Sequence, residues 1–102
     1  MNRPITGKLE LIKTDIADGK PLPNAGFRIR NDAGEIVAEG YTNDEGVATF
    51  TLGYGSYSYE EFDAPDGYQI DTTPHKFSIT KDGEIIKAQM TNEKNTDISP
   101  NW

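Results

Sequence analysis

The sequence predicts an all-β protein, an antiparallel-rich β-sandwich of about seven strands. Three observations carry that expectation. Short runs alternate apolar and polar residues, which places successive side chains on opposite faces of a strand. Clusters of Gly, Pro, Asn and Asp separate these runs at regular intervals. No segment has the 3.6-residue periodicity of an amphipathic helix, and the chain contains neither an internal repeat nor a low-complexity tract. With 102 residues, 34% of them hydrophobic, there is material for one compact domain and no room for a second.

The elements follow in order. Met1 to Thr6 is a lead-in without periodic signal. Lys8–Lys13 alternates, with Leu9, Leu11 and Lys13 on one face and Lys8, Glu10 and Ile12 on the other. The Gly- and Pro-containing loop from Ala17 to Asn24 ends this strand. Ala25–Arg30 sets Phe27 and Ile29 against an outer face of Arg28 and Arg30. A turn at Asn31–Gly34 leads into a third strand from Ile36 to about Thr42, and a second turn at Asn43–Gly46 into a fourth. That fourth strand, Val47–Leu52, turns Ala48, Phe50 and Leu52 inward. The strand around Tyr57 then carries Tyr57, Tyr59 and Glu61 on one face and Ser58 and Glu60 on the other. Pro65-Asp-Gly-Tyr68 is a turn, and the stretch to Pro74 is an extended loop. Lys76–Thr80 points Phe77 and Ile79 inward, Lys81–Glu84 is a hairpin turn, and Ile85–Asn92 aligns Ile86, Ala88, Met90 and Asn92 on one face.

Composition excludes several functional classes. Seventeen acidic residues against ten basic ones give a net charge of −7, which disfavours nucleic acid and anionic membrane surfaces as partners. No apolar run approaches the roughly 20 residues of a membrane helix, and the first residues lack the apolar core of a signal peptide. The absence of cysteine removes disulfides, thiolate catalysis and cysteine-based zinc sites, so stability has to come from elsewhere.

Lys13, Glu61 and Asn92 each stand where alternation calls for a core side chain. A polar residue at a strand end commonly turns to solvent, so each alone says little. Together they hold the components of an intramolecular amide exchange. Removal from water favours the neutral form of an amine and of a carboxylic acid. A neutral Lys13 can then attack the Asn92 carboxamide carbon while the Glu61 carboxyl polarises that amide and shuttles protons, releasing ammonia and leaving a Lys13–Asn92 isopeptide bond. Holding amine and amide in contact can supply on the order of 7–11 kcal/mol of the barrier reduction.

At this point the sequence resembles the Cna-B-type domains of Gram-positive surface proteins and pilins, the group that includes collagen-adhesin B repeats and SpaA-like pilins. The resemblance rests on Gly7-Lys-Leu-Glu-Leu-Ile-Lys-Thr-Asp15, Pro21-Leu-Pro-Asn-Ala-Gly-Phe27, Thr42-Asn-Asp-Glu-Gly46, the spacing of Tyr57, Glu61, Ala64, Pro65, Gly67 and Tyr68, and the closing Thr91-Asn-Glu-Lys94. It covers residues 7–94, leaving 1–6 as lead-in and 95–102 as a C-terminal tail or linker. The resemblance implies a transthyretin-like, reverse-immunoglobulin sandwich whose first and last strands are neighbours. It implies the same roles: Lys13 and Asn92 as the cross-linked pair and Glu61 as the catalytic acid. It further implies a stalk or spacer in an extracellular, wall-anchored adhesin or pilin, beside sister domains and with a host matrix ligand reached through the parent protein. The chain carries no Leu-Pro-x-Thr-Gly sorting motif, so it reads as an excised domain, monomeric in isolation, with no cofactor or metal.

Competing readings use the same fold. One leaves Lys13 and Glu61 as a buried ion pair with Asn92 hydrogen-bonded to it and no covalent bond. Another is a module binding a host matrix protein or glycan through Tyr41, Tyr54, Tyr68 and Trp102, although core or turn packing explains most of these rings. Enzyme chemistry has little to draw on: the one histidine, His75, reads as a surface residue without a nucleophilic partner. The acidic turns at Asp15–Gly19 and Asn43–Gly46 lack calcium-loop spacing and read as solvated turns.

Overall fold

The computed structural model describes residues 4–95. Seven strands form two sheets: β1 (Thr6–Asp15), β2 (Gly26–Asn31), β3 (Ile36–Tyr41), β4 (Val47–Gly53), β5 (Gly55–Asp63), β6 (His75–Ile79) and β7 (Ile85–Asn92). One sheet has the order β4-β1-β7 and the other β3-β2-β5-β6. Every expected strand is present, and the described residues include no helix. The expected first strand is short at both ends. β1 begins at Thr6, the last residue assigned to the lead-in, because Thr6 and Gly7 pair with Gly53 and Leu52 of β4.

The placement of β1 governs the rest. It lies antiparallel to β4, with Leu9 opposite Phe50 and Leu11 opposite Ala48, and parallel to β7, with Lys13 opposite Met90 and Asp15 opposite Asn92. The first and last strands are therefore neighbours. β1·β7 is the one parallel pair among the described strands; such a pair needs a long connection between its strands, and here that connection is the rest of the domain.

Leu9, Leu11, Ala48, Phe50, Leu52 and Met90 of the first sheet form one apolar core with Phe27, Ile29, Tyr59 and Ile79 of the second. Burying such side chains stabilises the domain by roughly 1.5–3 kcal/mol each. The outer face of the larger sheet carries the cross-strand pairs Arg28–Glu39 at 2.6 Å and Arg30–Glu60 at 3.1 Å. Their partial exposure limits each to about 1 kcal/mol or less.

Two turns hold β1 in place near its far end. The Lys13 N–H donates to the Gly46 carbonyl, and the Leu22 N–H to the Lys13 carbonyl. Gly46 has a φ of 75°, and a Cβ there would lie 2.7 Å from the Lys13 carbonyl oxygen, so both conformation and space call for glycine. Buried Thr42 ties the neighbouring loops, its hydroxyl donating to the Leu22 carbonyl and accepting from the Ala25 N–H.

A buried amine, acid and amide between the sheets

Strand alternation delivers Lys13 and Asn92 to one face of the adjacent strands β1 and β7, two residues out of register. Glu61 reaches them from β5 in the opposite sheet. On β5 it follows Tyr59 at the two-residue interval of the core face, and its register partner on β2 is Phe27. All three are enclosed: Lys13 is 0% exposed, Glu61 1% and Asn92 2%.

One carboxylate joins the group. Glu61 Oε2 lies 3.3 Å from Lys13 Nζ, and Glu61 Oε1 accepts a 3.0 Å hydrogen bond from Asn92 Nδ2. The loop between β5 and β6 completes the polar contacts with backbone groups alone: the Asp71 N–H donates to Glu61 Oε1 at 2.9 Å, and the Gln69 carbonyl accepts from Asn92 Nδ2 at 2.9 Å. Lys13 Nζ donates to the Thr91 carbonyl at 3.2 Å and stands 5.5 Å from the centroid of the Phe27 ring.

Two atoms are left over. Asn92 Oδ1 is buried without a hydrogen-bond partner, and Glu61 Oε2 has Lys13 at ion-pair distance without hydrogen-bond alignment. The amide orientation follows from its neighbours, since the Gln69 carbonyl and the Glu61 carboxylate both accept and the nitrogen must face them. Glu61 therefore touches the amide at its nitrogen. Burial holds Lys13 below the ordinary lysine value of 10.5, the loss of water outweighing the attraction of Glu61. The arrangement puts an amine with weakened affinity for its proton, a carboxyl group and an amide nitrogen in one unbroken chain of contacts.

Residues 7–94 match the sequence profile of the SpaA family, described as a prealbumin-like fold domain. The chain belongs to this family. Prealbumin is transthyretin, so the SpaA match and the two-sheet topology agree with the transthyretin-like expectation. Among solved structures, this SpaA domain is similar to part of the Bacillus anthracis TIE protein, with 46% identity and a TM-score of 0.86 over 88% of this chain and 18% of that one. It is also similar to part of BcpA, the major pilin subunit of Bacillus cereus, with 27% identity and a TM-score of 0.82 over 88% of this chain and 29% of that one. A minor pilin of Streptococcus agalactiae shares the fold at 23% identity and a TM-score of 0.78, over 97% of this chain and 49% of that one. The chain thus spans less than half the length of each. No match to the sequence was found among curated proteins.

Several residues around the site differ from their sequence reading. Asp15, assigned to a solvated acidic turn, is 2% exposed and accepts hydrogen bonds from the Tyr68 hydroxyl at 2.6 Å and the Ala17 N–H at 2.7 Å. The signal was there, because Asp15 continues the alternation of Leu9, Leu11 and Lys13. Of the rings considered for ligand binding, Tyr54 is exposed, Tyr41 is exposed but donates to Asp63 at 3.0 Å, and Tyr68 is turned inward to Asp15. Trp102 lies outside the described residues. His75 is half-buried and stacks on Tyr59 with ring centroids 5.1 Å apart.

Proposed function

We propose that this domain is a structural stalk or spacer module of a Gram-positive surface protein, a pilin or adhesin, made covalently rigid by a Lys13–Asn92 isopeptide bond that Glu61 promotes. The observation that carries the reading is a single buried carboxylate in contact with both the lysine amine and the asparagine amide nitrogen. The pilin and surface-protein structures that share the domain support the setting: a wall-anchored parent protein in which this module stands beside others, with any host matrix ligand bound by the parent.

The chemistry balances without a cofactor. Lys13 gives one proton to Glu61, leaving a neutral amine and a carboxylic acid. The amine attacks Asn92 Cγ, forming the new C–N bond and moving an electron pair onto Oδ1. Glu61 then gives its proton to Nδ2 and takes one from the attacking nitrogen. The Cγ–Nδ2 bond breaks, ammonia leaves, and an amide joins the two side chains while Glu61 ends as the acid. Contact between Glu61 and the departing nitrogen suits this proton delivery. The step occurs once per molecule, so the module is not an enzyme in the turnover sense.

The test is the intact mass of the denatured protein against the mass calculated from the sequence. The expected result is a deficit of one ammonia, mapped by peptide analysis to a branched fragment joining Lys13 and Asn92. An unchanged mass refutes the covalent reading and leaves a β-sandwich with a buried Lys13–Glu61 ion pair.

A further inference from the structure

We propose that Tyr68 and Asp15 are positioning residues for the cross-linking step, locking the β5–β6 loop so that its backbone holds both the acid and the amide; this inference rests on the isopeptide reading above. The two loop groups in the site, the Gln69 carbonyl and the Asp71 N–H, belong to residues whose own side chains are exposed. At Asn92 and Glu61 they act through the main chain, so the geometry there depends on where this segment lies, and the Asp71 carboxylate adds a charge that favours the protonated form of Lys13. Tyr68 immediately precedes it.

The segment belongs to no strand, and apart from its two bonds to Glu61 and Asn92 themselves its fastening has two further sources. The Gln69 N–H donates to the Glu93 carbonyl and the Asn95 N–H to the Gly67 carbonyl, which aligns the loop along the continuation of β7. The second source is the Tyr68 hydroxyl, at 2.6 Å from Asp15 Oδ2. Asp15 is a rigid anchor: it is buried, it is paired in register with Asn92, and its other oxygen is occupied by the Ala17 N–H. Lys94 adds a cation 3.6 Å from Oδ2 on the outer side. The bond draws Asp15 below the ordinary carboxylate range and pushes Tyr68 up to about 12, so donor and acceptor keep these states across the physiological range. The clamp thus ties the loop to β1 two residues beyond the reacting lysine. Misplacement of reacting groups by about 1 Å can cost up to a hundredfold in rate.

The experiment uses the full chain made by chemical synthesis and never folded, diluted from denaturant, quenched in acid at intervals and weighed intact. Folding is followed in parallel by circular dichroism, which gives the rate of ammonia loss per folded molecule. Tyr68→Phe keeps the ring and removes only the hydroxyl. The expected result is a folded variant that loses ammonia about tenfold more slowly or worse. A clamp with a structural role alone would lower the melting temperature and leave that rate unchanged. A Tyr68→Phe rate within about twofold of wild type overturns the inference while the isopeptide reading stands. A wild-type chain that never loses ammonia overturns both.

Discussion

Replacing Asn92 by alanine removes the electrophile and leaves the Lys13–Glu61 pair in place, which isolates the value of the covalent bond. The proposed bond closes a loop of about 80 residues, for which the chain-entropy relation gives about 4.5 kcal/mol at 25 °C. Unfolding entropy near 2.1 cal/mol/K per residue, over roughly 90 folded residues, converts this into a fall in melting temperature of roughly 20–25 °C. Differential scanning calorimetry of both proteins, each with its intact mass checked first, measures the difference. A wild type that carries the bond and a variant that melts within about 5 °C of it would refute the loop-entropy account. The native contacts, and not the closed loop, would then set the stability.

Glu61→Gln should remain uncross-linked and be less stable than Asn92→Ala, because it leaves the buried Lys13 amine without its counter-charge, a loss of about 3–5 kcal/mol; comparative urea unfolding ranks the two. In Asn92→Ala, the contribution of Lys13 to stability should rise with pH on the alkaline side. The folded-state value of Lys13 lies below 10.5, so between the two values the unfolded chain binds more protons; the penalty is full below the folded value and relieved above it. The raised values of Tyr41, Tyr59 and Tyr68 work in the opposite sense, so the slope is read as the difference in denaturant midpoint between Asn92→Ala and Asn92→Ala/Lys13→Met from pH 7 upward, and a flat or falling difference contradicts the direction assigned to Lys13. Gly46→Ala should destabilise by about 1–3 kcal/mol, since the turn must leave a φ of 75° and move off the Lys13 carbonyl; a melting temperature equal to wild type would show that the turn adapts without cost.

The fold was legible because its strands are half-buried and alternate plainly, and a period of two leaves little freedom in which face turns inward. The same parity placed Lys13, Glu61 and Asn92 inside, and the three lie together in the structure. Asp15 shows where the reading stopped too soon. The alternation of β1 runs four residues past Leu11, its last apolar member on that face, and an acidic residue beside a Gly-containing loop resembles a solvated turn until its tyrosine partner, 53 positions away, is known. The contributions of Gln69 and Asp71 were not legible at all. Their contacts with Glu61 and Asn92 are made by a peptide N–H, which every residue but proline possesses, and a peptide carbonyl, in a segment without alternation, and only the folded path of the loop brings them to the site. The meeting of Glu61 with the amide nitrogen likewise depends on the Gln69 carbonyl.

The parallel neighbourhood of β1 and β7 sets how such a module transmits load. Pulled from its two ends, the chain enters at the start of β1 and leaves past the end of β7, which are opposite ends of the parallel pair. The ladder between the strands is then strained all at once along its length, like a lap joint. With the proposed bond in place, the pull crosses from Lys13 to Asn92, and the roughly 80 residues between them drop out of the path. An unbonded domain would pay out roughly 3.3–3.6 Å for each of those residues on yielding, about 260–290 Å of slack. The bonded one has almost none to release, so a row of such modules would hold a fixed length under tension until a covalent bond broke.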